Sequence, residues 1–184
     1  MLFYFLSSNP TVRATLTNEL NRTLGLTTAS AAAAIRKDPY ILNSLPYTTA
    51  TIKETLRLFP PANTVRIGSP NVPLVDPTTG ASYPTTNCVV WPDSWVIGRD
   101  ERYFPEPLRF APERWIADVS PWPLPPAGAF RAFERGPRNC IGSEYGMLEV
   151  KVVVAICVRE FEFVPGYGKD DARVDGEPCY QVSG

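Results

Sequence analysis

The chain has 184 residues, 44% of them hydrophobic, which is enough to bury a core and form one compact domain. Its 18 basic and 19 acidic residues leave a net charge of −1 with no basic stripe to neutralise phosphates, which argues against a nucleic-acid partner. Histidine is absent, which removes the usual general base and the usual zinc ligand.

Taken in order, Met1 to Leu6 is apolar but far shorter than the roughly 20 residues that cross a bilayer, and no basic flank marks a signal peptide. It reads as the tail of a buried helix whose beginning lies upstream. Asn9-Pro10 then makes a helix start, with Asn as N-cap and Pro at the first helical position. Val12, Leu16, Leu20 and Leu24 recur every four residues on one face, and Gly25 stops the helix. The alanine-rich residues 29–38 predict a second short helix, which Pro46 closes off from the next element. From Thr48, the spacing of Ile52, Leu56 and Phe59 predicts a further helix, ended by Pro60-Pro61. Glu54 and Arg57 lie three apart on it, and on that spacing alone they make a solvated surface pair.

Residues 64–99 alternate β-favouring runs with turn residues: Thr64 to Ile67, Val72 to Val75, Asp76 to Gly80, and Cys88 to Trp91. This predicts a small antiparallel sheet, in which Arg66 alone would be a surface strand cation. The proline-rich stretch from Ile116 to Ala129 predicts an extended irregular segment. It leads into Phe133-Glu134-Arg135-Gly136-Pro137-Arg138-Asn139-Cys140-Ile141-Gly142.

In that stretch two glycines and a proline bracket Cys140, so the backbone can turn tightly and bring N–H groups near the sulfur. Apolar residues at Ile141, Tyr145, Leu148, Val152 and Ile156 predict a helix with one apolar face starting directly after it. The positive end of that helix would favour a thiolate, and Arg138 could pair with an anionic group of whatever the thiolate binds. On its own, the cysteine fits a buried structural residue beside a glycine turn equally well. The four cysteines, Cys88, Cys140, Cys157 and Cys179, contain no Cys-x-x-Cys pair and read as a reduced intracellular set. Cys157 in the helix and Cys88 in a strand-like run read as small buried hydrophobes. After the helix, Phe161-Glu162-Phe163 begins a strand, and the tail Asp175 to Gly184 reads as another strand cut short.

The pattern Phe-x-x-Gly-x-Arg-x-Cys-x-Gly, filled by Phe133, Gly136, Arg138, Cys140 and Gly142, resembles the proximal haem loop of the cytochrome P-450 superfamily, the haem-thiolate monooxygenases. The resemblance implies that Cys140 is the axial ligand of the iron of haem b (iron protoporphyrin IX). It also implies that Arg138 contacts a propionate and that Phe133 packs beside the thiolate. With no histidine, only Cys, Met or Tyr remain as iron ligands, and a thiolate favours O–O cleavage. The words KETLRLFPP resemble the family's K helix, whose Glu-x-x-Arg pair would be Glu54 and Arg57. The resemblance then predicts a third partner in the Pro-Glu-Arg triplet, Arg114, closing a buried structural network with the other two. Arg66 falls where the family has a strand arginine facing a propionate, and Gly98 stands near a position where many members carry histidine. The segment 116–129 corresponds to the family's meander, and FYFLSSNPTVRATLTNEL resembles the J helix and the end of the helix before it.

The implied architecture is mainly α with a small antiparallel β-sheet (α+β). It is the C-terminal part of the family fold, from the J to the L helix, with residues 1–184 as a single partial domain. The family activates dioxygen on a helix carrying a pattern such as Ala-Gly-x-Asp-Thr, and no stretch here matches it, so no catalytic residue is assigned. Three readings follow. The first is part of a monooxygenase that hydroxylates a small apolar organic substrate with dioxygen and electrons from an NADPH-dependent reductase, its full-length parent anchored in the endoplasmic reticulum membrane. The second is a short non-catalytic haem binder, and the third an inactive truncated gene product.

Overall fold

In a computed structural model the structure describes residues 1–164 and the backbone of residues 173–174 and 177–178. Helix α1 spans Leu2–Ser8 and α2 spans Pro10–Leu24. The side chain of Asn9 between them does not cap α2. Its Nδ2 donates backward to the carbonyl of Phe5 at 2.8 Å and so fills an orphan acceptor of α1. The four-residue period holds: Leu16, Leu20 and Leu24 are buried on one face of α2, and Gly25 leaves the helix at φ +85. Helix α3 (Thr28–Lys37) is capped by a reciprocal pair between Thr27 and Ser30.

A 3₁₀ turn at Pro39–Ser44, which the sequence pattern did not suggest, leads into helix α4. That helix starts at Pro46, two residues earlier than the pattern predicts, with the proline at its first position, and runs to Leu58. It is buried over most of its circumference, polar residues included, with only the face of Pro46, Thr49, Lys53 and Leu56 partly open. This departs from a one-sided helix because α1, α2 and segments from further along the chain pack around it.

The β-rich region forms two separate two-stranded antiparallel ribbons instead of one sheet. Strand β1 (Arg66–Ile67) pairs with β4 (Val89–Val90), and β2 (Leu74–Val75) with β3 (Ser82–Tyr83). Thr85 ties them together: its hydroxyl donates to the carbonyl of Val72 and accepts from the N–H of Ser69. The β reading fails from residue 94 onward. Asp93 accepts from the N–H groups of Trp95 and Val96 and starts a short helix α5, Ser94–Gly98. Cys88 is exposed, contrary to expectation, because its two-residue ribbon has a solvent face, and Cys157 is half-buried.

Helix α6 (Ser143–Glu160) closes the core through Val154, Ala155 and Val158, packed with Leu16, Leu20, Leu24 and Leu45. This corrects the predicted face. Ile141 and Tyr145 are exposed, while Lys151 is buried. The helix is apolar around much of its circumference, so periodicity alone could not say which face meets α2 and α4. No strand begins at Phe161. The chain leaves α6 extended, and Phe163 stacks on Phe3 at 4.0 Å. Residues 173–174 (β5) pair antiparallel with 177–178 (β6). Cys179 and the rest of the predicted tail strand lie outside the described residues.

Candidate functional site

Cys140 sits on a closed loop. Its N–H donates to the carbonyl of Phe133 at 2.8 Å, so the chain returns on itself across seven residues. Gly136 supplies the bend at φ +81, in the left-handed region where a side chain is strained. A 3₁₀ turn follows at Gly136–Arg138. Helix α6 begins only at Ser143, with Gly142 in the cap position, so Cys140 lies two residues before the cap and not in the first turn. The Cys140 side chain belongs to an exposed residue. A β-carbon at Gly142 would lie 3.8 Å from its sulfur, so any side chain there would occupy one flank of it. Phe133 leans on α6, its ring 3.9 Å from where a β-carbon of Gly146 would be. Arg138 is exposed and has no ion-pair partner among the described residues.

A second centre is buried around α4. Glu54 on α4 is fully buried. Its Oε1 accepts from Arg57 Nη2 at 2.7 Å, the N–H of Ala111 at 3.0 Å and Arg114 Nε at 3.4 Å; Oε2 accepts from Arg57 Nε at 2.9 Å and Trp115 Nε1 at 3.0 Å. Arg57 spends its remaining donors on the carbonyls of Gly98, Pro107 and Arg109. Arg114 donates to the carbonyls of Pro105 and Glu106 and packs its guanidinium 4.4 Å from the Trp122 ring. Burial lowers the proton affinity of Arg114, and Glu54 beside it opposes that. The three charged side chains therefore bind α4, α5 and the 105–115 segment into one unit. Trp115 carries the connection onward, its ring 5.0 Å from Phe130 in the strand of chain that enters the cysteine loop.

The family profile described as Cytochrome P-450 matches residues 1–181. The chain belongs to the cytochrome P-450 family. It is 37% identical over 190 residues to cytochrome P-450 monooxygenase polC of Polytolypa hystricis, covering 98% of this chain and 34% of that protein. With monooxygenase acrF of Aspergillus aculeatus it shares 36% identity over 183 residues, 91% of this chain and 37% of that protein. With monooxygenase PC-23 of Penicillium crustosum the figures are 34% over 174 residues, 93% and 83%. The chain thus spans about a third of the length of the first two of these P-450 relatives. No helix among the described residues is long and apolar enough to cross a membrane.

Several contacts around these two centres were not legible in advance. Gly98 sits so close to α4 that a β-carbon would lie 2.5 Å from the carbonyl oxygen of Arg57, so no other residue fits without a backbone shift. Glu19 on α2 is buried and accepts from the N–H groups of Tyr47 and Thr48 and from the Thr48 hydroxyl, each at 2.7 Å. It caps α4 from a distance of 28 residues, in place of a local cap. Glu113, the acid of the Pro-Glu-Arg triplet, accepts from the Tyr47 hydroxyl at 2.7 Å; burial and that carboxylate push the phenol's pKa well up. Arg66 lies on β1 with its side chain 39% exposed, 3.5 Å from the Glu134 carboxylate, a partner the sequence did not suggest.

Proposed function

We propose that this chain is the haem-thiolate part of a cytochrome P-450 monooxygenase, a single partial domain of a longer parent running from the J to the L helix. The observation that carries the reading is the loop at Cys140: a backbone bridge closes it, the cysteine is exposed, and Arg138 stands exposed two residues away without a protein counter-charge among the described residues. These residues fit a haem. Gly142 keeps a side chain away from the sulfur, Gly136 supplies the bend, and a free guanidinium suits a carboxylate-bearing ligand.

In this reading Cys140 ligates the iron of haem b, Arg138 and Arg66 meet its propionates, and Phe133 packs beside the sulfur. When bound, the haem supplies the redox chemistry that activates dioxygen, and a thiolate ligand favours O–O cleavage. The work of the chain's own residues is to bind and orient. The bond from the Cys140 N–H to Phe133 fixes the loop, and the cluster of Glu54, Arg57 and Arg114 anchors the segment feeding it through Trp115 and Phe130. The parent would take electrons from an NADPH-dependent reductase at the endoplasmic reticulum membrane and hydroxylate a small apolar organic substrate. Residues that move protons in that reaction are not assigned to this chain.

The test is the absorbance of the purified chain mixed with haem, reduced and exposed to carbon monoxide, beside Cys140→Ala. A red-shifted band present in the wild type and lost in the variant is expected. A wild type without the band, or a variant that keeps it, would overturn the assignment of Cys140.

A further inference from the structure

A second cluster of charge lies against the cysteine loop, around the residue that follows Phe133. Glu134 adopts φ +59, the left-handed region that glycine favours and a β-carbon resists. Its side chain is nevertheless only 6% exposed. One oxygen, Oε2, accepts from Arg131 Nη2 at 2.5 Å and lies 3.5 Å from Arg66 Nη2; the other, Oε1, is buried and has no hydrogen-bond partner. A glutamate held in strained backbone with its carboxylate turned inward needs something that holds the side chain there, and the two guanidiniums are that something. Burial alone would push the carboxyl up, but the hydrogen bond and charge of Arg131, with the Thr64 hydroxyl and the Arg135 N–H beside it, hold the group below the usual carboxylate range, so it is ionised at neutral pH.

The charge does not cancel. One carboxylate faces two guanidiniums, which leaves the cluster one positive charge in excess. Arg66 is the member with room to use it: its Nη1 donates to Thr64 Oγ1 and the Val65 carbonyl within its own strand, and its side chain remains 39% exposed. Arg131 is turned inward, and its backbone carbonyl accepts from Ser94 Oγ of α5 at 3.5 Å.

We infer that Glu134 is a positioning residue, clamping Arg66 of β1 and Arg131 to the Cys140 loop so that the Arg66 guanidinium is presented to an anionic group bound beside that loop. The clamp is a property of the protein alone; the identity of the anionic group as a haem propionate rests on the reading proposed above. In this arrangement Arg66 acts on a bound ligand only as well as Glu134 holds it.

Two variants and their combination test this in the 184-residue chain. Without haem, urea unfolding is measured for wild type, Glu134→Gln, Arg66→Gln and the double variant. Coupling between the two sites worth a two- to fivefold change in the unfolding constant is expected for a partly exposed pair, whereas strictly additive effects overturn the clamp. With haem, each single variant is expected to weaken binding by about fivefold and to lower the fraction of the reduced carbon monoxide complex in the red-shifted band. The double variant should be no worse than either single, where independent roles would give about 25-fold. Glu134→Gly separates strain from charge: it relaxes the backbone but deletes the carboxylate, so it should bind haem as poorly as Glu134→Gln. Wild-type affinity in Glu134→Gly overturns the positioning role. A wild-type chain with no thiolate band overturns the haem reading, and the haem-free cycle still decides the clamp.

Discussion

Replacing Glu54 by Gln keeps the volume of a side chain that holds five hydrogen bonds and removes only its charge and half its acceptors. Five donors converge on the Glu54 carboxylate, and two of the groups behind them are buried guanidiniums, Arg57 and Arg114, that reach no other carboxylate among the described residues. An amide in its place turns an NH₂ toward donors and leaves both cations uncompensated. Breaking a buried ion pair from one side costs about 3 to 5 kcal/mol, because the partner stays buried and charged. Against a net stability of about 5 to 15 kcal/mol, that is roughly a fifth or more of what holds the chain folded. With a urea slope of roughly 2 kcal/mol per molar, the midpoint should fall by about 2 M. Far-ultraviolet circular dichroism and tryptophan fluorescence should report it together, since Trp115 loses a hydrogen bond in the same step. The triple change Glu54→Leu, Arg57→Met, Arg114→Met removes every charge at once and should recover much of the loss. A Glu54→Gln chain within about 1 kcal/mol of wild type would refute the account of this cluster as a buried charge network.

Glu19→Gln should cost roughly 1 to 3 kcal/mol in the same urea assay, because the N–H groups of Tyr47 and Thr48 at the start of α4 lose a charged acceptor. Gly98→Ala puts a β-carbon 2.5 Å from a backbone oxygen that cannot swing aside, and should destabilise by about 1 to 3 kcal/mol, while Gly80→Ala, in open space, reports the left-handed backbone cost alone. Lys151→Met should raise the urea midpoint. Burial of Lys151 lowers its pKa, with Glu144 opposing, so the native pKa lies below the unfolded value of about 10.4. The unfolded chain then binds more protons between the two values, and wild-type stability gains from this group as pH rises through that window. The Met variant should lose that gain.

Much of this site was written in short stretches of sequence. The loop from Phe133 to Gly142, the pair Glu54 and Arg57, and the triplet ending in Arg114 each carry their signal within ten residues, and the periods, prolines and caps of α2 and α3 are equally local. What was not legible was every choice made between distant segments. Glu19 drew no reading because the first N–H group it caps is 28 positions away. Ile141 and Tyr145 read as the buried face of α6 because that helix offers apolar residues on several faces. Glu134 gave no signal at all, since neither its left-handed backbone nor its two guanidinium partners can be inferred from the residues beside it.

The division has a physical cause. Helix starts and stops, tight turns and motif spacings are set by interactions over a few residues, and those are decided before the chain closes on itself. Which face of α6 is buried, which acid caps α4 and which carboxylate holds Arg66 depend on what the fold brings into contact. The sequence by itself therefore determined the family, the longer helices α2, α3, α4 and α6, and the Cys140 loop. Tertiary structure alone decided the pairings outside those motifs, Glu19 on α4 and Glu134 with Arg66 and Arg131, because a buried charge is stable only where a partner from elsewhere in the chain reaches it.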